Sequence, residues 1–301
     1  MGPPAAREGP RHVRESMSTG ETVTTREGGN GVAANGTALL SLRGVTKTFG
    51  PVRALTRINL DVTPGQVTAL AGDNGAGKSV TIKTISGLWA PDEGEILWQG
   101  KPVRMHGPKD SEALGIRTIY QDLALCDNLD IVQNMFLGHE PLSRGILDEN
   151  SMEIAARKTL EELRVRTIRS IRMPVASLSG GQRQSVAVAK AVLFDAKLVI
   201  MDEPTAALGV TQTRQVLDLI KRLASQGVAV MVVSHNLNDV FEVADRIAVL
   251  YLGHMVVQDE ASKFDRQSVV EYMTTGQSSR EAQASATGAG APGQTSGRKP
   301  A

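Results

Sequence analysis

The sequence predicts an α/β fold with a mainly parallel central sheet, an antiparallel β subdomain and an inserted α-helical subdomain. Two continuous apolar runs, 198–203 and 228–233, indicate strands buried on both faces, as in a parallel sheet flanked by helices. Residues 39–50 and 52–62 alternate between apolar and polar types, which predicts antiparallel strands before the parallel sheet. Residues from about 122 to 195 differ in character and predict the helical insertion.

The two ends of the 301-residue chain differ in composition from the rest. Residues 1–37 contain almost no apolar clusters, and residues 276–301 are rich in Ser, Ala and Gly. Such segments bury too little apolar surface to offset the entropy lost on ordering. We therefore expect two disordered tails around a single domain at residues 38–275.

The charge balance does not indicate a nucleic-acid partner. The 33 basic and 32 acidic residues give a formal net charge of +1, and neither sign forms a long run. No apolar run approaches the roughly 18 residues of a membrane-spanning helix, and the start lacks the apolar core of a secretory signal. Cys126 is the single cysteine, which excludes an internal disulfide and fits a reducing compartment.

A glycine-rich loop of the pattern G-x-x-x-x-G-K-[ST] follows the strand-like run 66–71 and precedes the helix-like run 80–85. Its residues are Gly72, Asp73, Asn74, Gly75, Ala76, Gly77, Lys78 and Ser79. Its glycines allow backbone N–H groups to turn onto phosphate oxygens, and the helix start adds positive potential. We expect a nucleotide site, with Lys78 at the β- and γ-phosphates and Ser79 on Mg²⁺. The alternative is a glycine-rich turn without a ligand.

Residues 178–182 form a second glycine-containing helix start that is suited to an anion, like the loop at 72–79. Ser179 is expected to cap the helix over 183–194, while Gly180 and Gly181 leave backbone N–H groups open to an anion. Gln182 completes the motif. The alternative is a plain junction between a turn and a helix.

Carboxylates and a histidine follow the two buried strands. Asp202 and Glu203 close the first apolar run, at the edge where open α/β sheets bind ligands. We expect Asp202 to hold Mg²⁺ and Glu203 to orient or deprotonate an attacking water. His235 follows the second run and is expected to donate an N–H to the γ-phosphate, although a lone histidine is more often a capping or packing residue.

Three further features of the sequence lie outside these motifs, and they are two candidate site residues and a pair of predicted helices. Phe49 ends its strand either as an edge-packing residue or as a platform for adenine stacking. Gln121 ends a short strand at 116–121. Helices are expected over 131–137 and over 151–163, the second capped by Ser151, with no strand between them.

In this order the motifs resemble the nucleotide-binding subunit of ATP-binding cassette (ABC) transporters across residues 39–275. The parallels are 72–79 with Walker A, Gln121 with the Q-loop, 178–182 with the LSGGQ signature, Asp202 and Glu203 with Walker B, and His235 with the switch histidine. The resemblance implies the ABC ATPase fold on a phosphate-loop NTPase core, with ATP and Mg²⁺ as cofactors. It implies catalytic roles for Lys78, Gln121, Glu203 and His235, and metal contacts from Ser79, Gln121 and Asp202.

The resemblance also implies partners. Two such domains pair head to tail, so Ser179 and Gly181 would contact the γ-phosphate held by a second copy of the chain or a homologous ATPase subunit. Gln121 would couple the site to the helical subdomain, which receives the integral membrane permease at the cytoplasmic face of the membrane. The amino-acid sequences of 119–125 and 203–209 are similar to those of the simple-sugar importer branch of the family. This similarity implies an extracytoplasmic sugar-binding protein as an indirect partner.

Two residues depart from the pattern of that family. Val80 stands at a position of the phosphate shell where Thr or Ser is usual, which would remove about one hydrogen bond, ~0.5–1.5 kcal/mol. Gly209 replaces an aspartate that communicates across the dimer. Three alternatives are a soluble ABC-type ATPase acting on ribosomes or DNA, an importer subunit for a nucleoside or amino acid, and a small-molecule kinase.

Overall fold

A computed structural model describes residues 38–165, 167–206 and 208–279. The predicted tail 1–37 and residues 280–301 of the second tail lie outside these described residues. Among the helices of the described part, none combines the length and apolar composition that crossing a bilayer requires.

The elements follow one another as strands and helices along the described chain. The strands are β1 (Leu40–Phe49), β2 (Val52–Val62), β3 (Val67–Gly72), β4 (Glu93–Trp98), β5 (Lys101–Val103), β6 (Ile116–Ile119), β7 (Leu142–Ser143), β8 (Ile146–Leu147), β9 (Leu198–Asp202), β10 (Ala229–Ser234), β11 (Arg246–Tyr251) and β12 (His254–Glu260). The helices are α1 (Lys78–Ile85), α2 (Pro108–Leu114), α3 (Ile131–Phe136), α4 (Glu149–Glu162), α5 (Gly180–Val192), α6 (Val210–Ser225), α7 (Leu237–Val243) and α8 (Arg266–Thr275).

The central sheet has the strand order β12-β11-β3-β10-β9-β6, and all neighbours are parallel except β11 and β12. Alternate residues of β9 pack into different apolar clusters, Val199 and Met201 on one face, Leu198 and Ile200 on the other. The prediction of a mainly parallel sheet buried on both faces is confirmed. Since the carboxyl ends of β3, β10, β9 and β6 meet at one edge, the residues that follow these strands share that edge.

The antiparallel sheet has the order β2-β1-β4-β5. β1 pairs with β2 and with β4 in antiparallel register, as the alternating pattern predicted. The buried Leu42 of β1 and Ile58 of β2 belong to the same apolar cluster as Leu70 of β3 and Ile82 of α1. This sheet therefore packs against the face of the central sheet that carries α1.

The helical region contains α3, α4 and α5, but two of our expectations for it were wrong. A short antiparallel hairpin, β7 and β8, lies between α3 and α4, where we expected no strand. Helix α4 begins at Glu149, and its N-cap is Asp148, whose side chain accepts from the Ser151 backbone N–H. Ser151 lies inside the first turn because the preceding chain, tied by Asp148 N–H to the Pro141 carbonyl, already turns at 148.

Helix α8 packs on β11, and its C-cap is Gly276, which has a φ of 75°. The described chain continues into the predicted tail as far as Ser279, whose backbone N–H donates to the Glu271 carboxylate at 2.8 Å. Ser278 is 3% exposed. These first tail residues therefore make contacts of their own.

Candidate active site

The glycine loop joins the end of β3 to the start of α1. A Cβ atom on Gly72 would lie 2.7 Å from the Leu250 carbonyl oxygen, and Gly77 has a φ of 108°. A side chain is therefore disfavoured at both positions. The backbone N–H groups of Gly75, Gly77 and Lys78 have no protein acceptor among the described residues. This row of free donors at a helix start is suited to an anion.

Lys78 lies inside this loop. Its Nζ donates to the carbonyl oxygens of Gly72 at 2.8 Å and Asp73 at 3.1 Å. The residue is 8% exposed, so the ammonium group is shielded from solvent while the loop holds it. A buried cation beside free N–H donors strengthens the preference for a polyanion such as a chain of phosphates.

The remaining loop residues differ in their surroundings. Ser79 is exposed, and its hydroxyl makes no hydrogen bond to any described residue. Asn74 is exposed on the rim, where its backbone N–H donates to the Asp73 carboxylate at 2.7 Å. Ala76 is buried, and Val80 packs partly buried against the apolar cluster beneath α1. The Val80 side chain thus contributes packing in a place where a hydroxyl was expected from the family pattern.

Asp202 ends β9, which is separated from β3 by β10, and is half-buried. Burial, and then the neighbouring Glu203 carboxylate, raise the pKa of Asp202 above its ordinary value, while Lys78 and Lys83 oppose this shift. The ionised carboxylate is therefore poorly stabilised by the protein alone. A cation bound beside Asp202 would relieve this cost.

Glu203 contacts the last residue of β10 and the residue that follows it. Its Oε1 lies 2.8 Å from His235 Nδ1, and its Oε2 accepts from Ser234 Oγ at 3.4 Å. The Glu203 side chain is 14% exposed, whereas that of His235 is 62% exposed. The structure therefore brings together the predicted carboxylate and the predicted histidine. Ser234 is a contact that sequence reasoning missed, although its place between the buried strand and His235 was a usable signal.

Gln121 follows β6 at the same edge of the sheet, next to the strand that ends at Asp202. It is exposed and makes no hydrogen bond to a described residue. The preceding Tyr120 hydroxyl lies 3.1 Å from Ser86 Oγ at the end of α1. Gln121 thus follows a residue that is anchored to α1, and its exposed amide makes no hydrogen bond to a described residue.

The predicted signature motif starts α5 as expected, but it does not join the other site residues. Ser179 caps the helix, and its hydroxyl accepts from the Gln182 N–H at 3.4 Å. Gly180 and Gly181 face the start of α6. No hydrogen bond or ion pair among described residues connects 178–182 with 72–79. Both ends of the Gln182 amide are engaged within the chain, with Ser179 N and the Thr167 carbonyl.

Phe49 ends β1 and has 38% of its surface exposed. Its ring meets Trp89 edge to face, with centroids 4.7 Å apart, and Lys47 Nζ lies 5.5 Å from the Phe49 centroid. Sequence reasoning missed Trp89. This contact fixes the ring while leaving part of it accessible, so it accommodates both the packing role and the stacking role of Phe49.

The residues at this edge fit a magnesium nucleotide. The loop offers free N–H donors and a buried ammonium to phosphates, and a Cβ on Gly77 would meet Leu55 Cδ2 at 2.9 Å. The described residues contain no cluster of three or more His, Cys, Asp or Glu side chains that could hold a metal by themselves. A Mg²⁺ ion that is held partly by phosphates needs only one or two protein oxygens.

We expect Asp202→Asn to raise the melting temperature of the nucleotide-free protein near pH 7 by about 1–2 °C, a small effect because solvent screens a half-exposed group. The folded-state pKa of Asp202 is raised, so its ionisation lowers stability as the pH increases through that pKa. The gain should therefore shrink as the pH falls towards the ordinary Asp pKa of about 3.9 and disappear below it, where the carboxyl is protonated in both states. Thermal denaturation of both proteins between acidic pH, below that pKa, and pH 8 measures this, and a gain that persists at the acidic end would contradict it.

Comparison with known proteins places this geometry in a family. A family model described as "ABC transporter" matches residues 55–206, just over half of the chain. The chain is 47% identical over 243 residues to the fructose import ATP-binding protein FrcA of Rhizobium meliloti, covering 78% of this chain and 94% of that protein. It is 46% identical over 237 residues to the xylose/arabinose import ATP-binding protein XylG of Sulfolobus acidocaldarius, covering 79% and 94% respectively.

Solved structures share the fold. One is the dimeric, post-hydrolysis structure of the ATP-binding cassette MJ0796 bound to ADP and Pi. It has a TM-score of 0.62 and 26% identity, and the match covers 74% of this chain and 98% of that one. Another, cbiO1 from Clostridium perfringens, has a TM-score of 0.67 and 23% identity, with 83% and 99% covered.

Proposed function

The chain belongs to the ABC transporter family as one of its ATP-hydrolysing cassettes, and on this premise we propose that it energises the import of a simple sugar. The observation that carries the assignment of the site is the meeting of three groups at the carboxyl ends of β3, β9 and β10. These are the Lys78 loop, the Asp202 and Glu203 carboxylates, and His235.

In our proposal each residue at this edge has a defined task. Lys78 and the free loop N–H groups bind the β- and γ-phosphates. Ser79, Asp202 and Gln121 hold Mg²⁺, which neutralises phosphate charge when bound. Glu203 accepts a proton from the attacking water or orients it.

His235 has a role tied to Glu203. The two side chains are 2.8 Å apart between Nδ1 and Oε1. Because the imidazole is largely exposed, it is accessible to a phosphate placed at the loop. We propose that His235 donates an N–H to the γ-phosphate while Glu203 orients or deprotonates the attacking water.

The signature motif requires a second chain in this proposal. The free N–H groups of Gly180 and Gly181 and the hydroxyl of Ser179 lie at a helix start, but no described contact leads from them to the loop at 72–79. Cassettes of this family form dimers, as the structure of MJ0796 does. We propose that Ser179 and Gly181 complete the nucleotide site of a partner copy or a homologous subunit.

The permease and the cytoplasmic location follow from the proposed role as an importer subunit. The helical region of α3, α4 and α5 would receive the integral membrane permease, and an extracytoplasmic binding protein would deliver the sugar. The similar proteins FrcA and XylG are importer subunits for fructose and for xylose or arabinose, which supports a simple sugar as the imported solute.

The experiment is reconstitution of the full chain with its membrane permease in liposomes. We expect ATP hydrolysis to rise when the cognate binding protein is loaded with a pentose or a fructose-type hexose. The matched controls are the same binding protein with a nucleoside or an amino acid, and RNA or DNA without the permease. Stimulation by a nucleoside or an amino acid would overturn the sugar assignment, and stimulation by nucleic acid would overturn the importer assignment.

A further inference from the structure

Asp239 in α7 is a buried carboxylate outside the residues assigned above. It is 7% exposed, and no ion pair among the described residues includes it. Its Oδ2 accepts two hydrogen bonds, from Thr205 Oγ1 at 2.5 Å and from Asn236 Nδ2 at 3.1 Å. Burying a carboxylate with neutral hydrogen-bond donors alone costs desolvation free energy. We therefore asked which part of the site the hydrogen bonds of Asp239 hold in place.

The two donors come from two different loops of the site. Thr205 lies two residues after Glu203, in the turn that follows β9, and Asn236 directly follows His235. Asp239 therefore connects the loop of the proposed water-binding carboxylate with the loop of the proposed phosphate-binding histidine. This connection lies on the buried side of the site, since Thr205 is 9% exposed. The only side-chain hydrogen bond of His235 itself among the described residues is its exposed contact with Glu203.

A second set of hydrogen bonds extends from this bridge to Glu203 itself. The Asn236 backbone N–H donates to Ser234 Oγ at 3.0 Å, and Ser234 Oγ donates to Glu203 Oε2 at 3.4 Å. Ser234 is 1% exposed. When Asp239 fixes Asn236, it thereby also fixes the hydroxyl that orients the Glu203 carboxylate.

The backbone of Glu203 needs such support. Its φ is 48°, in the left-handed region that residues with a Cβ rarely adopt. Strained residues of this kind persist only where the surrounding structure holds them. The turn around Glu203 is closed by the Ala206 N–H bond to the Glu203 carbonyl at 3.1 Å, and the Thr205 bond to Asp239 anchors that turn to α7.

We propose that Asp239 is a positioning residue for ATP hydrolysis, which holds the Glu203 loop and the His235 loop in register by accepting from Thr205 and Asn236. It acts through Glu203 and does not touch the nucleotide. The inference rests on the proposed role of Glu203 in hydrolysis. If His235 leaves its hydrogen bond with Glu203 to contact the γ-phosphate, the buried hydrogen bonds of Asp239 to Thr205 and Asn236 still connect the two loops.

The test compares variants that break the bridge with variants that keep it. Asp239→Ala and Thr205→Val remove it, and we expect kcat to fall about 10- to 100-fold, the cost of a small misplacement of a reacting group. KM for ATP should stay within about twofold, because the glycine loop is untouched. Asp239→Asn should retain most of the rate, since both donors use a single oxygen that the amide carbonyl can replace. Thr205→Ser should also retain it.

A matched control separates positioning from stability. Ser41→Ala removes another hydroxyl bond of 2.5 Å to a carboxylate, Asp61, in the antiparallel sheet. This control should lower the melting temperature without changing kcat. If Asp239→Ala fails to fold, the near-isosteric Thr205→Val still tests the bridge.

The inference is overturned if Thr205→Val and Asp239→Ala hydrolyse ATP at the wild-type kcat, or if Asp239→Asn is as slow as Asp239→Ala while Thr205→Val is normal. A wild-type rate in Glu203→Gln is a different result, since it removes the proposed role of Glu203 itself. A slow Glu203→Gln beside a normal Asp239→Ala therefore refutes the positioning role alone.

Discussion

ATP hydrolysis by Lys78→Ala is expected to fall by about 10²–10³-fold or below detection. The Lys78 ammonium is the buried cation of the loop, held by the Gly72 and Asp73 carbonyls at 2.8 and 3.1 Å. Its removal takes away the positive charge that would face the β- and γ-phosphates in a site shielded from solvent, where such charges contribute most. Steady-state hydrolysis and equilibrium binding of a fluorescent ATP analogue measure the two losses separately.

Two further variants make this result interpretable. Lys78→Met keeps the aliphatic stem and removes the charge, so it should be as inactive as Lys78→Ala if the charge matters. Lys158→Ala removes a lysine that lies on α4, with a side chain 74% exposed and paired with Glu162 at 3.8 Å, and should hydrolyse ATP normally. Wild-type turnover in Lys78→Met would refute the assigned phosphate site.

The strands of the central sheet and the residues at their ends were predictable because burial on both faces leaves a continuous apolar run. The run at 198–203 predicted β9 and placed Asp202 and Glu203 at its carboxyl end, as the structure does. The proximity of His235 followed from the same rule for the neighbouring parallel strand. Local chemistry also predicted the cap by Ser179.

The errors arose where a local pattern is too short to specify structure. The strands β7 and β8 contain two residues each and are exposed, so neither an alternating nor a continuous pattern can form. At the start of α4 the sequence offers Asp148, Asn150 and Ser151, three residue types that cap helices well. The choice of Asp148 depends on the path of the preceding chain.

Contacts between distant residues were not predictable from spacing. Thr205 and Asp239 are 34 positions apart, and the sequence analysis assigned a role to neither. The same holds for Trp89 against Phe49. We propose another physical cause for the separation of the signature at 178–182 from the glycine loop, since a site shared between two chains would not be complete in one.

Glu203→Gln is expected to bind ATP normally and to hydrolyse it about 10²–10⁴-fold more slowly, the usual contribution of a general base. The amide keeps the shape of the side chain and a partner for His235, 2.8 Å away, but it cannot take a proton from water. ATP that is bound and not consumed should then hold two chains together through Ser179 and Gly181 of one and Lys78 of the other. Size-exclusion chromatography with and without MgATP should show the variant shifting from monomer to dimer.

Adding Ser179→Arg to Glu203→Gln should return the protein to a monomer. The Ser179 hydroxyl is small and exposed at the start of α5, where its cap leaves the N–H groups of Gly180 and Gly181 open. A guanidinium side chain there would displace the hydroxyl and fill the space meant for the γ-phosphate of the partner's nucleotide. The double variant should still bind ATP at its own loop, so loss of the dimer with retained binding assigns 178–182 to the partner's site. An ATP-bound monomer of Glu203→Gln, found also when the membrane permease is present, would contradict the two-chain site, because the proposed permease partner would bring two cassettes together.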